Sequence, residues 1–211
     1  MDRVPQKAAY HHGDLRRALV EAALQAIAEG GVAAVSMADA ARRAGVSTAA
    51  PYRHFPGRRE LLAATAAATA TALAERLEAA SGLPAAEPVE ALARAAGEYT
   101  LFYLERGAGI DLVYASDLRE LRDTGLADAG RRIMDLLFPA TQAVTGDPAR
   151  GLVLLEQLFA VAHGYAQLRA AAFSTRMLST AEDAAAGARS TVRLIAAASR
   201  PAPVSPGRSG G

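Results

Sequence analysis

The side chains able to do chemistry in this 211-residue chain are few, and their spacing separates one class of function from another. There is no cysteine, which removes disulfides, thiolate zinc sites, iron–sulfur clusters and cysteine nucleophiles together. The four histidines, His11, His12, His54 and His163, stand apart except for the adjacent pair. Adjacent residues cannot share one helix face as metal ligands usually do, and no HExxH, glycine-rich phosphate loop or GxSxG elbow occurs. No catalytic constellation, metal site or cofactor is expected, and the chain does not read as an enzyme. What remains is recognition chemistry. Ser47, Thr48, Ala49 and Ala50 form a small, weakly polar run in which Thr48 offers a hydrogen bond or methyl contact and the alanines suit thymine methyls. Arg53 has the fork that reads guanine, and is equally suited to clamp a phosphate.

Such residues need a scaffold that holds them outward. Leu15, Leu19, Ala22, Ala23 and Ile27 recur at helical spacing before Gly30-Gly31, which predicts an amphipathic helix with a glycine end. Ser36-Met37-Ala38-Asp39 has the form of a capping box opening a second helix to about Ala44. Gly45 permits a tight turn, Val46 points inward, and Ser47 or Thr48 caps a third helix ending near Phe55, a short rod before Pro56-Gly57. The small Ala41 and the permissive Gly45 stand where a helix-turn-helix crosses, a weak signal by itself in an alanine-rich chain.

Alanine and leucine dominate the remainder and no run alternates with period two, so the whole chain reads as all-α, with about nine helices. Helices are predicted from Arg58 to about Ala80, Val89 to about Glu105, in one or two pieces from Ile110 to Leu121, from Leu126 to Val144 with a disturbance at Pro139, from Pro148 to about Ala172, and from Thr180 to near Ser199. The divisions are a flexible arm at 1–9, a helix-turn-helix domain at 10–58, an effector-binding and dimerisation domain at 59–199, and a disordered tail at 200–211.

The string GVSTAAPYRHFPGRRELLAA resembles the end of the DNA-binding domain of TetR-family transcriptional regulators, through Gly45-Val46-Ser47, Tyr52, His54-Phe55 and the basic residue before Glu60-Leu61-Leu62. Tyr10 to Arg16 opening the first helix fits as well. Pro51 departs from the leucine of many members, at little expected cost in a first helical turn. Val161-Ala162-His163-Gly164-Tyr165-Ala166 resembles the W-x-x-x-H-G signature of one sensor-domain group, without its tryptophan. The resemblance implies that Tyr52 and His54 hydrogen-bond phosphates, although Tyr52 also suits a core. Ser36 at a helix start and Arg58 or Arg59 at the next are suited to the same task. The resemblance further implies a homodimer joined by its last two long helices, a palindromic double-stranded DNA operator, and release by a small effector, most commonly as a repressor, while the polar N-terminus without an apolar signal core leads us to expect a cytoplasmic protein.

Two stripes fit the dimer: Leu152, Leu155, Phe159, Ala162 and Ala166, and Ala184, Ala188, Val192, Ile195 and Ala196. They equally fit helices inside a monomer. Tyr99, Phe102, Tyr103, Tyr114, Phe138, Phe159 and His163 are candidate contacts for an apolar or aromatic effector, or simply fill a core. Residues 1–60 hold nine basic against six acidic residues, an excess where DNA contacts are expected. The uncharged stretch Leu61–Ala74 is shorter than the ~18 apolar residues of a membrane span, and the polar N-terminus has no signal-peptide core. A helical scaffold that binds no DNA is the alternative reading.

Overall fold

The computed structural model describes residues 12–80, 87–121, 123–173 and 178–201. The arm at 1–9, Tyr10, His11, most of the loop after residue 80 and the tail beyond 201 fall outside them. The described residues form nine α-helices and two 3-10 turns, with no strand among them. In order these are α1 (His12–Gly30), α2 (Met37–Arg43), α3 (Arg58–Ala80), α4 (Pro88–Arg106), α5 (Ala108–Tyr114), α6 (Ser116–Arg119), α7 (Thr124–Thr145), α8 (Pro148–Ala170) and α9 (Ala181–Ala198). The 3-10 turns are Val32–Ala34 and Pro51–Arg53.

Local chemistry sets most ends. Ser36 accepts the Asp39 N–H at 3.0 Å, Asp147 accepts that of Arg150 at 2.8 Å before Pro148, and Thr180 and Asp183 form a reciprocal capping box. Ser36 forms only half of the expected box, because the Asp39 carboxylate turns to Arg42 and Arg43 instead. Pro139 does not interrupt α7 as expected. Pro139 and Asp135, whose carbonyl loses its helical partner, are both exposed, so water can replace the missing bond.

By packing, the chain divides into two units, one of residues 1–72 and 106–129 and the other of residues 73–105 and 130–211. The boundary expected after residue 58 cuts through the first unit. Its core joins Leu19, Ala23 and Ile27 of α1, Met37 and Ala40 of α2 and Phe55 to Leu61 and Leu62 of α3, Leu112 of α5 and Leu118 of α6. α1 and α2 are also tied by charge: Arg43 forms a two-bond pair with Glu29 at 2.6 and 2.8 Å and reaches Asp39 at 2.6 Å.

In the second unit α4, α8 and α9 bury Tyr99, Phe102, Leu154, Leu158, Val192 and a series of alanines. The Thr100 hydroxyl has the Ala96 and Ala162 carbonyls in reach, at 2.8 and 3.1 Å. Gly187 matters for space: a Cβ there would stand 2.3 Å from the Tyr165 ring, whose hydroxyl meets Thr191 at 3.0 Å. Small residues let α8 and α9 approach until that ring lies on bare backbone.

Two outcomes follow from this packing. The Arg43 bonds hold the Glu29 carboxyl below its ordinary 4.5, and the Arg43 and Arg42 bonds hold Asp39 below 3.8. Because both values are depressed on folding, the network stabilises fully above the unfolded values and is lost as pH falls through the folded ones. Arg43→Gln is therefore expected to lower Tm near neutrality but to leave a flatter decline below pH 4.5, in thermal melts against pH; parallel acid limbs would dismiss the network as a stabiliser. Gly187→Ala is expected to destabilise by about 1–3 kcal/mol through overpacking, and much less in a Tyr165→Leu background. Simple additivity in that double-mutant cycle would show that the ring is not the obstacle.

Candidate nucleic-acid interface

α2 ends in a left-handed turn. Gly45 has φ +68°, the Val46 N–H reaches back to the Ala41 carbonyl at 3.0 Å and the Gly45 N–H to that of Arg42 at 3.2 Å. This double closure satisfies carbonyls that the helix end would otherwise leave open, and it needs a residue without Cβ at the left-handed position. Ala41 is fully buried beneath it, while Val46 is only half-buried rather than wholly inward.

The segment that follows is not the α-helical rod expected from Ser47 to Phe55. It is a sequence of turns around the 3-10 turn Pro51–Arg53, carried by bonds from Ala50 to Ser47 (3.0 Å), Arg53 to Ala50 (3.2 Å) and His54 to Pro51 (2.9 Å). Pro51 is the reason. It has no N–H to return to the Ser47 carbonyl, so that carbonyl takes the N–H of Ala50, one residue nearer, and the tighter winding continues. The effect of Pro51 is therefore larger than its place in a first turn suggests.

The winding still sorts the side chains. Pro51 and Phe55 are buried, the latter 1% exposed with the Arg16 guanidinium 4.5 Å above its ring. Ser47, Thr48, Ala49, Tyr52 and Arg53 are exposed, Ala50 and His54 half-buried. Tyr52, at 57% exposure, is no core aromatic here. Arg53 meets no carboxylate or carbonyl among the described residues, and Ser36 lies exposed at the start of α2.

Other basic residues of this unit are turned to internal work. Arg42 and Arg43 pair with Asp39, and Arg43 also with Glu29. The Arg58 guanidinium donates to the Val35 carbonyl at 2.8 Å and that of Val32 at 2.6 Å. Arg59 donates to the Asp117 carbonyl and to Glu120. The local positive excess thus overstates the charge offered to a partner. Arg16 over Phe55 and the tasks of Arg58 left no mark in the sequence, because they depend on contacts that no spacing rule encodes.

The candidate effector residues divide. Tyr99, Tyr103, Phe159 and His163 come together in the second unit: the Tyr99 hydroxyl lies 3.1 Å from His163 Nδ1, Tyr99 meets Phe159 edge-on at 5.6 Å, and Tyr103 meets His163 at 5.1 Å. The Gln167 amide, unanticipated although one turn along from His163, lies 3.3 Å from its Nε2. Phe102 is buried on α4 and Phe138 half-buried on α7. Tyr114 belongs to the first unit and is 48% exposed. An open depression of ≈ 270 Å³ in the second unit is lined instead by residues including Thr145, Arg150, Val153, Gln157 and Ser199, none of them a candidate. These residues come from α7, α8 and the end of α9, and only tertiary packing assembles them.

The proposed dimer stripes are largely spent within one chain. Leu155, Ala162, Ala166, Ala184, Ala188, Val192 and Ala196 are buried, and only Leu152 among the ten is clearly exposed. A different set faces outward, Val153 and Leu168 on α8 and Leu194 on α9, at 52%, 42% and 70% exposure. Among the described residues no cluster of histidine and carboxylate could hold a metal ion, and no helix is long and apolar enough to cross a membrane.

Residues 19–65 match the family model described as bacterial regulatory proteins, tetR family. No curated protein matches the chain. A protein of unknown function from Rhodococcus sp. RHA1 shares 29% identity, covering 89% of this chain and 98% of its own, with a TM-score of 0.71. A transcriptional regulator from the same source, at 22% identity, covers 89% and 99% with a TM-score of 0.66. A TetR family transcription regulator from Marinobacter aquaeolei VT8, at 18% identity, covers 84% and 95% with a TM-score of 0.58. The matched segment runs from within α1 to the start of α3 and takes in the turn at Gly45 and the exposed residues beyond it, so residues 19–65 are similar to the N-terminal region of the tetR family of bacterial regulatory proteins.

Proposed function

We propose that this chain is a DNA-binding transcriptional regulator of the TetR family, a homodimeric repressor that holds a palindromic operator and lets it go when a small apolar or aromatic effector binds. The observation that carries this reading is the division within residues 47–55, where Pro51 and Phe55 anchor the segment and Ser47, Thr48, Ala49, Tyr52 and Arg53 stay open to a partner. Thr48 and Arg53, with Ala49 and Ala50, are the residues suited to base edges. Tyr52, His54 and Ser36 are suited to phosphates, which set register without reading sequence.

In the second copy the same segment would lie about 34–36 Å away, one helical turn of DNA, if the dimer is two-fold. The outward residues Val153, Leu168 and Leu194 favour α8 and α9 as the surface that a second copy covers, since exposed leucines gathered on paired helices are costly in water. An effector would be received near the Tyr99, Tyr103, Phe159 and His163 cluster, with Phe102 and Phe138 as further lining. It would act by favouring a conformation of lower operator affinity, and can shift that balance only by its difference in affinity for the two states. The chain is assigned no catalytic role.

Selection of bound duplexes from random DNA tests the main reading. A half-site repeated with two-fold symmetry and salt-dependent binding are expected, and the absence of any enriched sequence would leave the helical-scaffold alternative. On the selected operator, Tyr52→Phe is expected to weaken binding to every sequence alike, whereas Thr48→Ala and Arg53→Ala shift base preference by about 1–3 kcal/mol per position. An equal loss across the library for all three would refute that division of labour. Sedimentation at micromolar concentration should give a dimer for the parent protein and a monomer for Leu194→Glu; a monomeric parent would remove the dimer.

A further inference from the structure

The recognition segment has an unusual mechanical problem. Three of its bonds run to the carbonyl three residues back, with poorer geometry than an α-helical ladder, only the last, from the Phe55 N–H to the Pro51 carbonyl, spans four, and together they extend for scarcely more than one turn. Such a segment cannot set its own orientation, so its two ends must be fixed by something outside it. At the entrance stands the double closure around Gly45. At the exit, after Pro56-Gly57, the first residue of α3 is Arg58.

The Arg58 side chain turns back toward the start of α2. Its Nε donates to the carbonyl of Val35, which directly precedes the capping residue Ser36, and its Nη2 to that of Val32, which opens the turn between α1 and α2. One planar guanidinium thereby joins the chain leaving the recognition segment to the chain entering α2. Together with the Gly45 turn it closes the helix-turn-helix into a ring. Its two donors match two carbonyls three residues apart, a geometry that a rigid fork satisfies and a single ammonium does not. Resting on the DNA-binding reading for its consequence, we infer that Arg58 is a positioning residue that sets the orientation of residues 47–55 by clamping the Val32 and Val35 carbonyls, and not a phosphate contact.

The two roles predict different measurements. A phosphate contact adds about 0.9 to the slope of log affinity against log salt, whereas an internal clamp adds nothing. Full-length Arg58→Gln and Arg58→Lys are compared with the parent protein, using an operator duplex obtained by selection, a random duplex, and a potassium chloride series. Amide hydrogen exchange without DNA is followed alongside, with Tm measured to set the working temperature well below unfolding. For Arg58→Gln the expectation is about tenfold weaker operator binding, an unchanged salt slope, unchanged binding to the random duplex, and exchange faster by about tenfold at Ala50, Arg53 and His54. Arg58→Lys should recover part of both effects. A salt slope shallower by about one with unaltered exchange would overturn the clamp in favour of a phosphate contact. Equal losses on both duplexes would reduce it to general stability, and no change in any readout would leave it without a role. Should the parent protein select no DNA, the regulator reading fails while the exchange comparison still decides whether Arg58 holds the segment.

Discussion

A peptide segment that turns its side chains toward a partner keeps few of them to hold itself in place, and the head of this protein is organised around that shortage. Between Gly45 and Pro56 the chain buries Pro51 and Phe55 and exposes most of what lies between. Burying a phenylalanine stabilises by roughly 1.5–3 kcal/mol, so Phe55 is the largest anchor available. It reaches the core shared by α1, α2 and α3, and Arg16 covers its ring from the far side. The left-handed turn at Gly45 fixes the other end through backbone bonds alone.

The same economy governs charge. A unit that binds a polyanion is expected to display its arginines, but most of those in this unit are paired with carboxylates, rings or carbonyls of the unit itself. Exposed pairs of this kind contribute on the order of 0–1 kcal/mol each. Their value lies more in direction: Arg43 sets α1 against α2 through Glu29 and Asp39, and Arg59 reaches α6 through Asp117 and Glu120. Arg53 and the hydroxyls of Ser47, Thr48 and Tyr52 remain as an exposed polar surface with modest charge. Such a surface suits recognition by fit more than by bulk attraction.

In the second unit, alanine does what larger residues do elsewhere. Ala162 and Ala166 on α8 and Ala184, Ala188 and Ala196 on α9 allow close helix packing, and Gly187 accepts the Tyr165 ring where even a methyl group would collide. Leu154, Leu158 and Val192 fill the space between these alanines, while Leu194 and Val153 stand on the outer faces. Four of the unit's aromatic side chains, Tyr99, Tyr103, Phe159 and His163, share ring contacts and a hydrogen bond.

Most helix positions and caps and the turn at Gly45 were legible from residue types alone, because each depends on neighbours a few positions away: Asp147 before Pro148, Thr180 with Asp183, glycine at a left-handed angle; the α-helix expected at 47–55 and the full box at Ser36 are the exceptions. The motif from Gly45 to Leu62 likewise identified which surface to look at. What the sequence could not reveal is how a residue divides its attention among partners distant in the chain. Arg58 reads as a phosphate ligand until Val32 and Val35 are brought beside it. The apolar stripes of α8 and α9 were visible as periodic patterns, but a pattern does not say whether its face meets the same chain or another. That choice belongs to tertiary packing, which decides by filling space: it buried the alanine stripes within the monomer and left Leu168 and Leu194 outside.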